Sequence, residues 1–121
     1  MEALLDSNFL LTCIKQKIDF FEEIKLMGIS IIIPKQVLNE LKFLEQRDNS
    51  KSDSNTLTAL KLLKKEDFNE IDLGDSKTDR AIIKFAKKNP EIIIATLDKE
   101  LQCKIKNKKL IIRGKKKLEI V

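Results

Sequence analysis

The chain predicts an α/β fold, a three-layer α/β/α sandwich around a central, mainly parallel five-stranded sheet, and three observations lead there. Short β-rich runs alternate with longer amphipathic stretches, the pattern of successive βαβ units. The connections between runs are long enough to be helical crossovers, which cover both faces of a parallel sheet. At 121 residues the chain has the length of one domain, residues 1–121, able to bury roughly two-thirds of its unfolded surface in one core.

The first strand is expected near residues 2–5, on Ala3-Leu4-Leu5, followed by helices near 7–17 and 18–27. A second strand near 29–33 runs into Pro34, which suits the first turn of a helix over 35–47. The apolar side of that helix is Val37, Leu38, Leu41 and Leu44. Residues 47–55 are polar and charged without apolar periodicity, and read as a mobile loop or frayed helix end. Then follow a helix near 56–66, a strand near 69–72, a helix over 76–88, a strand near 92–96, a helix near 98–106 and a strand near 109–113. Residues 117–121 are a candidate short terminal strand, and no internal repeat is present.

The longest apolar runs, around residues 31–33 and 92–95, fall far short of the ~20 residues that span a bilayer, and no signal-peptide pattern opens the chain. A soluble, cytoplasmic protein with no membrane partner is expected. Cys13 and Cys103 lie far apart in apolar contexts, as reduced, packed thiols would. There is no histidine, which removes the commonest general base, the commonest transition-metal ligand and every Ser-His or Cys-His arrangement. Any catalysis must rest on carboxylates. Net charge is +5, unevenly placed: residues 1–100 carry 16 basic and 18 acidic side chains, residues 101–121 carry 8 and 1. The basic residues after position 103 are Lys104, Lys106, Lys108, Lys109, Arg113, Lys115, Lys116 and Lys117. They form a candidate contact for nucleic-acid backbone, and a solvated, solubility-promoting face would look the same.

Four acids stand out. Asp6 and Asp98 each follow a strand where it hands over to a helix, the ligand-binding edge of an open parallel sheet. Helix capping is the alternative for either one. On a helical wheel of residues 76–88, Asp79 falls on the apolar face between Ile83 and the pair Ile82 and Ala86, where an unpartnered carboxylate would be penalised. Glu40 borders the apolar side of its helix, as a solvated glutamate would also do. Four acids from separate elements meeting at one sheet edge would suit Mg²⁺ or Mn²⁺, with Ser7, Asn8 and Thr96 orienting them. Without a cation they would repel one another. Asp75 reads as a helix N-cap, with Ser76 as the alternative, or as a fifth ligand.

Leu5-Asp6-Ser7-Asn8, Glu40 within Val-Leu-Asn-Glu-Leu, Asp79 within Thr-Asp-Arg-Ala-Ile and Asp98 within Ile-Ala-Thr-Leu-Asp together resemble PIN-domain ribonucleases over nearly the whole chain. The resemblance implies an α/β/α sandwich and metal-dependent endonucleolytic cleavage of single-stranded RNA. It puts Asp6, Glu40, Asp79 and Asp98 at metal-binding, catalytic positions and Ser7, Asn8 and Thr96 at supporting ones. The stretch from Leu110 to Glu119 is similar to the end of archaeal PIN proteins related to nucleases that process small-subunit ribosomal RNA, and less similar to VapC-type toxins. Arg80 departs from the pattern, since many relatives carry an acid there.

These readings lead to phosphodiester hydrolysis assisted by one or two Mg²⁺ or Mn²⁺ ions, with single-stranded or structured RNA, including ribosomal RNA, as the partner. With no Trp or Tyr and 6 Phe, an extended aromatic platform for bases is not expected. A catalytically silent RNA- or ribosome-binding module and a VapC-like toxin with an antitoxin partner are the alternatives, and family habit suggests a homodimer. A phospho-receiver domain fits less well. It would need paired acids after the first strand and a phosphorylated Asp after a central one, whereas Asp6 stands alone and residues 29–33 run into Pro34.

Overall fold

The computed structural model of the chain describes residues 1–47, 54–75, 77–114 and 116–121. In chain order these form β1 (Glu2–Leu5), α1 (Ser7–Lys15), α2 (Phe20–Leu26), β2 (Ser30–Pro34), α3 (Lys35–Arg47), α4 (Ser54–Lys65), β3 (Asn69–Ile71), α5 (Thr78–Lys88), β4 (Ile93–Ala95), α6 (Lys99–Cys103), β5 (Lys109–Arg113) and β6 (Lys117–Ile120). All twelve lie where the sequence pattern places an element, with ends shifted by a few residues. Most of the segment expected as a mobile loop, residues 48–53, lies outside the described residues, as do Ser76 and Lys115.

The sheet has six strands in the order β3-β2-β1-β4-β5-β6, not the expected five. Four pairings are parallel and the last, β5 with β6, is antiparallel. Residues 117–120 become a strand because they lie antiparallel along the open side of β5, after a change of direction at Gly114, whose φ of +66° glycine adopts without strain. There Leu118 is buried.

Side-chain alternation divides the core in two. Ala3 and Leu5 of β1, Ile31 and Ile33 of β2, and Ile93 and Ala95 of β4 pack with α1 to α4 on one face. Leu4, Ile32, Ile92 and Ile94 pack with Ile82 and Ala86 of α5 and Leu101 of α6 on the other. The three-layer sandwich follows directly, since the central strands β1, β2 and β4 are apolar on both sides.

Local backbone sets the element ends. Lys17 is left-handed at φ +59°, which stops α1 two residues short of the sequence expectation, and Gly28 at φ +75° ends α2. Pro34 closes β2, pairing with Ile71, rather than opening α3. Both cysteines are free. Cys13 is packed, and burial pushes its thiol up to about 12. Cys103 is exposed, contrary to expectation, because the five-residue α6 turns only Leu101 into the core. Among the described residues no helix is long and apolar enough to cross a membrane.

Candidate active site

Chain connections diverge between β1 and β4, neighbours at the centre of the sheet. From β1 the chain enters α1 on one face, and from β4 it enters α6 on the other. The carboxyl ends of two such strands leave a crevice that neither helix covers, the usual ligand position in open parallel sheets. Asp6 and Asp98 stand just past those two strand ends. The backbone N–H of Asp6 donates to the carbonyl of Ala95 at 2.9 Å, which holds the two ends together.

Asp6 is 3% exposed. Its Oδ1 accepts the N–H of Ser7 at 2.8 Å, capping α1, and its Oδ2 accepts the hydroxyl of Thr96 at 2.9 Å. Burial pushes its carboxyl above the ordinary range, and the charges of Asp79 and Glu40 push it the same way, against the two hydrogen bonds. Its charged neighbours in this balance are acids. Thr96, fully buried, also accepts the N–H of Asp98 at 3.2 Å, so one hydroxyl positions both aspartates. Asp98 Oδ1 accepts the N–H groups of Glu100 and Leu101, capping α6. Capping and site placement, alternatives in the sequence, are combined in both residues.

Ser7 and Asn8 tie the remaining parts together. The Ser7 hydroxyl donates to Glu40 Oε2 at 3.1 Å, linking α1 to α3. Asn8 Oδ1 accepts the N–H of Leu97 at 3.3 Å, bracing the turn that carries Asp98. Glu40 itself is exposed and faces the cleft beside Gln36, Asn39 and Phe43, which recur on α3 at helical spacing. Gln36 reaches the β3–α5 connection: its amide donates to Asp72 at 2.9 Å and accepts the N–H of Leu73 at 3.2 Å.

Asp79 departs from the sequence argument. It is exposed in the first turn of α5, and the buried residues of that helix are Ala81, Ile82 and Ala86. Its wheel position therefore aims it at the cleft rather than the core. Asp75 is not the helix N-cap, a position held by Lys77, and it lines the same cleft with its carboxylate paired to bases. It accepts from Arg80 at 2.9 and 3.3 Å and from the N–H of Lys77 at 3.0 Å, with the Lys84 ammonium 3.8 Å away. The Arg80 guanidinium and the Lys77 amide hold its carboxyl down to about 2. The pair accounts for a base at the position after Asp79. Replacing Arg80 with alanine is expected to return the Asp75 titration toward its ordinary value near 3.8, followed by carboxyl-carbon NMR. A folded value below the unfolded one stabilises above about pH 3.8 and ceases to do so near pH 2, so any stability deficit of the variant should be full above about pH 3.8 and close as pH falls toward 2.

All four predicted acids, with Ser7 and Asn8, line one cleft of about 1500 Å³. Among the described residues no three of its carboxylates converge into a preformed coordination shell. The donor set nonetheless suits a hard divalent cation: every donor is oxygen, and Asp6 is buried under like charge.

The basic cluster read from the sequence does not stay together. Lys104 lines the cleft, ion-paired with Glu100 at 3.3 Å. Lys106 and Lys108 are exposed by the start of β4, where Asn107 donates to the carbonyl of Ile92 at 2.8 Å, at the opposite edge of the sheet. Lys109 Nζ bonds the carbonyl of Ile105 and Arg113 pairs with Glu119. Lys116 and Lys117 are exposed in the β5–β6 hairpin, two strands away from β1. The cations that do line the cleft beside Lys104 are Lys77, Arg80, Lys84 and Lys87 of α5 and its approach. Their sequence signal was a run of bases on the helix that carries Asp79.

A family model described as "PIN like domain" matches residues 3–115. Ribonuclease VapC4 of Methanocaldococcus jannaschii is 32% identical over 121 residues, covering 95% of this chain and 92% of that protein. Among solved structures, that of the PIN domain endonuclease Utp24 superposes with a TM-score of 0.79 at 23% identity, over 98% of this chain and 90% of that one. The crystal structure of VapBC2 from Rickettsia felis, bound to a DNA fragment from its promoter, gives 0.57 at 12% identity, over 90% and 98%. At these identities the two structures speak for the fold. With the family model spanning most of its length, and a relative nearly one-third identical across it, the chain belongs to the PIN-like domain family.

Proposed function

We propose that the chain is a metal-dependent endoribonuclease that hydrolyses phosphodiester bonds in single-stranded RNA, with Asp6, Glu40, Asp79 and Asp98 as the residues that hold Mg²⁺ or Mn²⁺. The observation that carries this reading is the burial of the Asp6 carboxylate at the head of a cleft lined by the other three acids, with Asp79 and Glu40 opposing its charge. The name of the 32% identical relative, a ribonuclease, supports the choice of RNA. A divalent ion there would supply Lewis-acid polarisation of the phosphate and make water a better nucleophile.

The chain's own part is positioning. Ser7 and Thr96 hold Asp6 by its two oxygens, Ser7 also holds Glu40, and Asn8 steadies the turn before Asp98. Ammonium groups at Lys77, Lys84, Lys87 and Lys104 attract the phosphate backbone into a cleft whose acids alone would repel it. Contact of this kind is sequence-tolerant and salt-sensitive.

The test is incubation of the purified protein with end-labelled single-stranded RNA and Mn²⁺. Internal cleavage that stops on chelation and returns with Mn²⁺ or Mg²⁺ is expected. Intact RNA across varied sequences and both ions would overturn the nuclease reading in favour of a binding module. A VapC-like nuclease restrained by a partner chain is the second reading, favoured by the same relative. Growth arrest on expression of the wild-type protein, absent with a cleavage-inactive variant, would mark it.

A further inference from the structure

We propose that Phe43 is a nucleotide-binding residue of this cleft, stacking on one base of a single-stranded RNA whose flanking phosphates are held by Lys84 and Lys87. The inference rests on the nuclease reading for its substrate class, and adds to it where the strand lies.

Phe43 is 61% exposed. The other five phenylalanines are placed differently: Phe9, Phe20 and Phe21 are fully buried, and Phe68 and Phe85 are half-buried against the core. Its position on α3 explains the exposure. Two residues past the buried Leu41, it lies roughly 200° around the helix, opposite the apolar stripe, so core packing does not account for an aromatic there. It lies three residues after Glu40 and therefore on the same side of the helix, and both line the cleft. The remaining exposed large apolar residues, Met1, Leu26, Met27 and Val121, do not line it.

The opposite wall supplies what a stacked nucleotide needs. α3 packs on one face of the sheet and α5 on the other, and the cleft spans the edge between them. Lys84 and Lys87 recur at i, i+3 on α5 and both are exposed. One aromatic ring on one wall and ammonium groups on the other match a single-stranded polynucleotide, which presents bases on one side and phosphates on the other. A protein ligand would use Phe43 as an apolar anchor and would leave the lysine wall, in a cleft already lined by six acids, without a matching role. A single ring gives binding energy with little base preference, since every base has a π-face.

The experiment measures binding of a fluorescein-labelled 12-nucleotide single-stranded RNA by anisotropy, in chelator so that no cleavage occurs, and cleavage separately with Mn²⁺. Phe43→Ala is expected to weaken binding about tenfold. Phe43→Tyr should keep wild-type affinity, and Phe43→Leu should behave like alanine, because volume is retained and the π-face is lost. The salt slope should stay unchanged in these variants and become shallower by about one unit in Lys84→Ala and in Lys87→Ala. Circular dichroism checks that each variant folds, which the exposure of all three side chains favours. Wild-type affinity in Phe43→Ala, or full affinity in Phe43→Leu, overturns the proposal. A change of oligomeric state in Phe43→Ala, with RNA affinity intact, also overturns it and identifies a protein contact. If wild-type protein binds the RNA without cleaving it, the nuclease reading fails and the stacking result still decides this one. If it neither binds nor cleaves, both fail.

Discussion

Asp6→Asn is expected to lower RNA cleavage by more than about 100-fold while raising the melting temperature of the metal-free protein by a few degrees. The loss of activity follows from removing a charge at the buried head of the cleft. Changes to residues that merely orient a metal ligand typically cost 10–100-fold, so a proposed ligand should cost more. The gain in stability has a separate cause. Ionised Asp6 is opposed by burial and by the charges of Asp79 and Glu40, and asparagine has the same shape without the charge. Its carbonyl can still accept the Ser7 N–H or the Thr96 hydroxyl.

A folded pKa raised above the ordinary 3.8 means that the ionised form opposes folding at high pH and ceases to do so below 3.8. Wild type and variant should therefore converge in stability as pH falls through that window and diverge above it. Added Mn²⁺ should reverse the order at neutral pH, since an ion at 100 times its Kd stabilises the wild type by about 2.7 kcal/mol and the variant by less. Differential scanning fluorimetry with and without Mn²⁺ reads both effects. Undiminished cleavage would mean that the site lies elsewhere, and a destabilised metal-free variant would contradict the electrostatic account.

Thr96→Val is the second large effect, expected to cost about 1–3 kcal/mol of stability and 10- to 100-fold in activity. The side chains are nearly isosteric, so the cavity term is small, but the hydroxyl does two tasks in a fully buried position. It donates to Asp6 Oδ2 and accepts the N–H of Asp98. Valine leaves a carboxylate oxygen and a backbone amide unpaired. Thr96→Ser should retain most of both quantities, which separates loss of the hydroxyl from loss of packing. If the residue acts through the two aspartates, the deficit should appear as weaker Mn²⁺ binding by titration calorimetry. A valine variant of normal stability and Mn²⁺ affinity would remove Thr96 from the site.

Local pattern and long-range placement contributed differently to this molecule. The order of strands and helices, the two apolar faces of each central strand and the handover points at Asp6 and Asp98 were legible in the sequence, because periodicity and strand ends are local properties. The helical wheel correctly turned Asp79 and Glu40 to particular sides of their helices. It could not say that the first turn of α5 faces the cleft rather than the core, which leaves Asp79 exposed. Nor could it separate capping from site placement, since one carboxylate does both. The dual role of the Thr96 hydroxyl spans 90 residues to Asp6 and has no local signature. The sixth strand likewise depends on an open edge of β5 that exists only once the sheet has formed.

The four carboxylates proposed as ligands follow the same division. By itself the sequence determined which acids lie near strand ends and on which helix sides, and that without histidine oxygen donors must serve. Tertiary structure alone decided that α3 and α5, on opposite faces, bring Glu40 and Phe43 together with Asp79 and the α5 lysines around Asp6 and Asp98. It also dispersed the C-terminal basic run, leaving Lys104 at the cleft and carrying Lys106 and Lys108 to the far edge. The physical reason is strand order: a run that is continuous in sequence is cut by a parallel crossover, and residues distant in sequence meet where β1 and β4 send their helices to opposite faces.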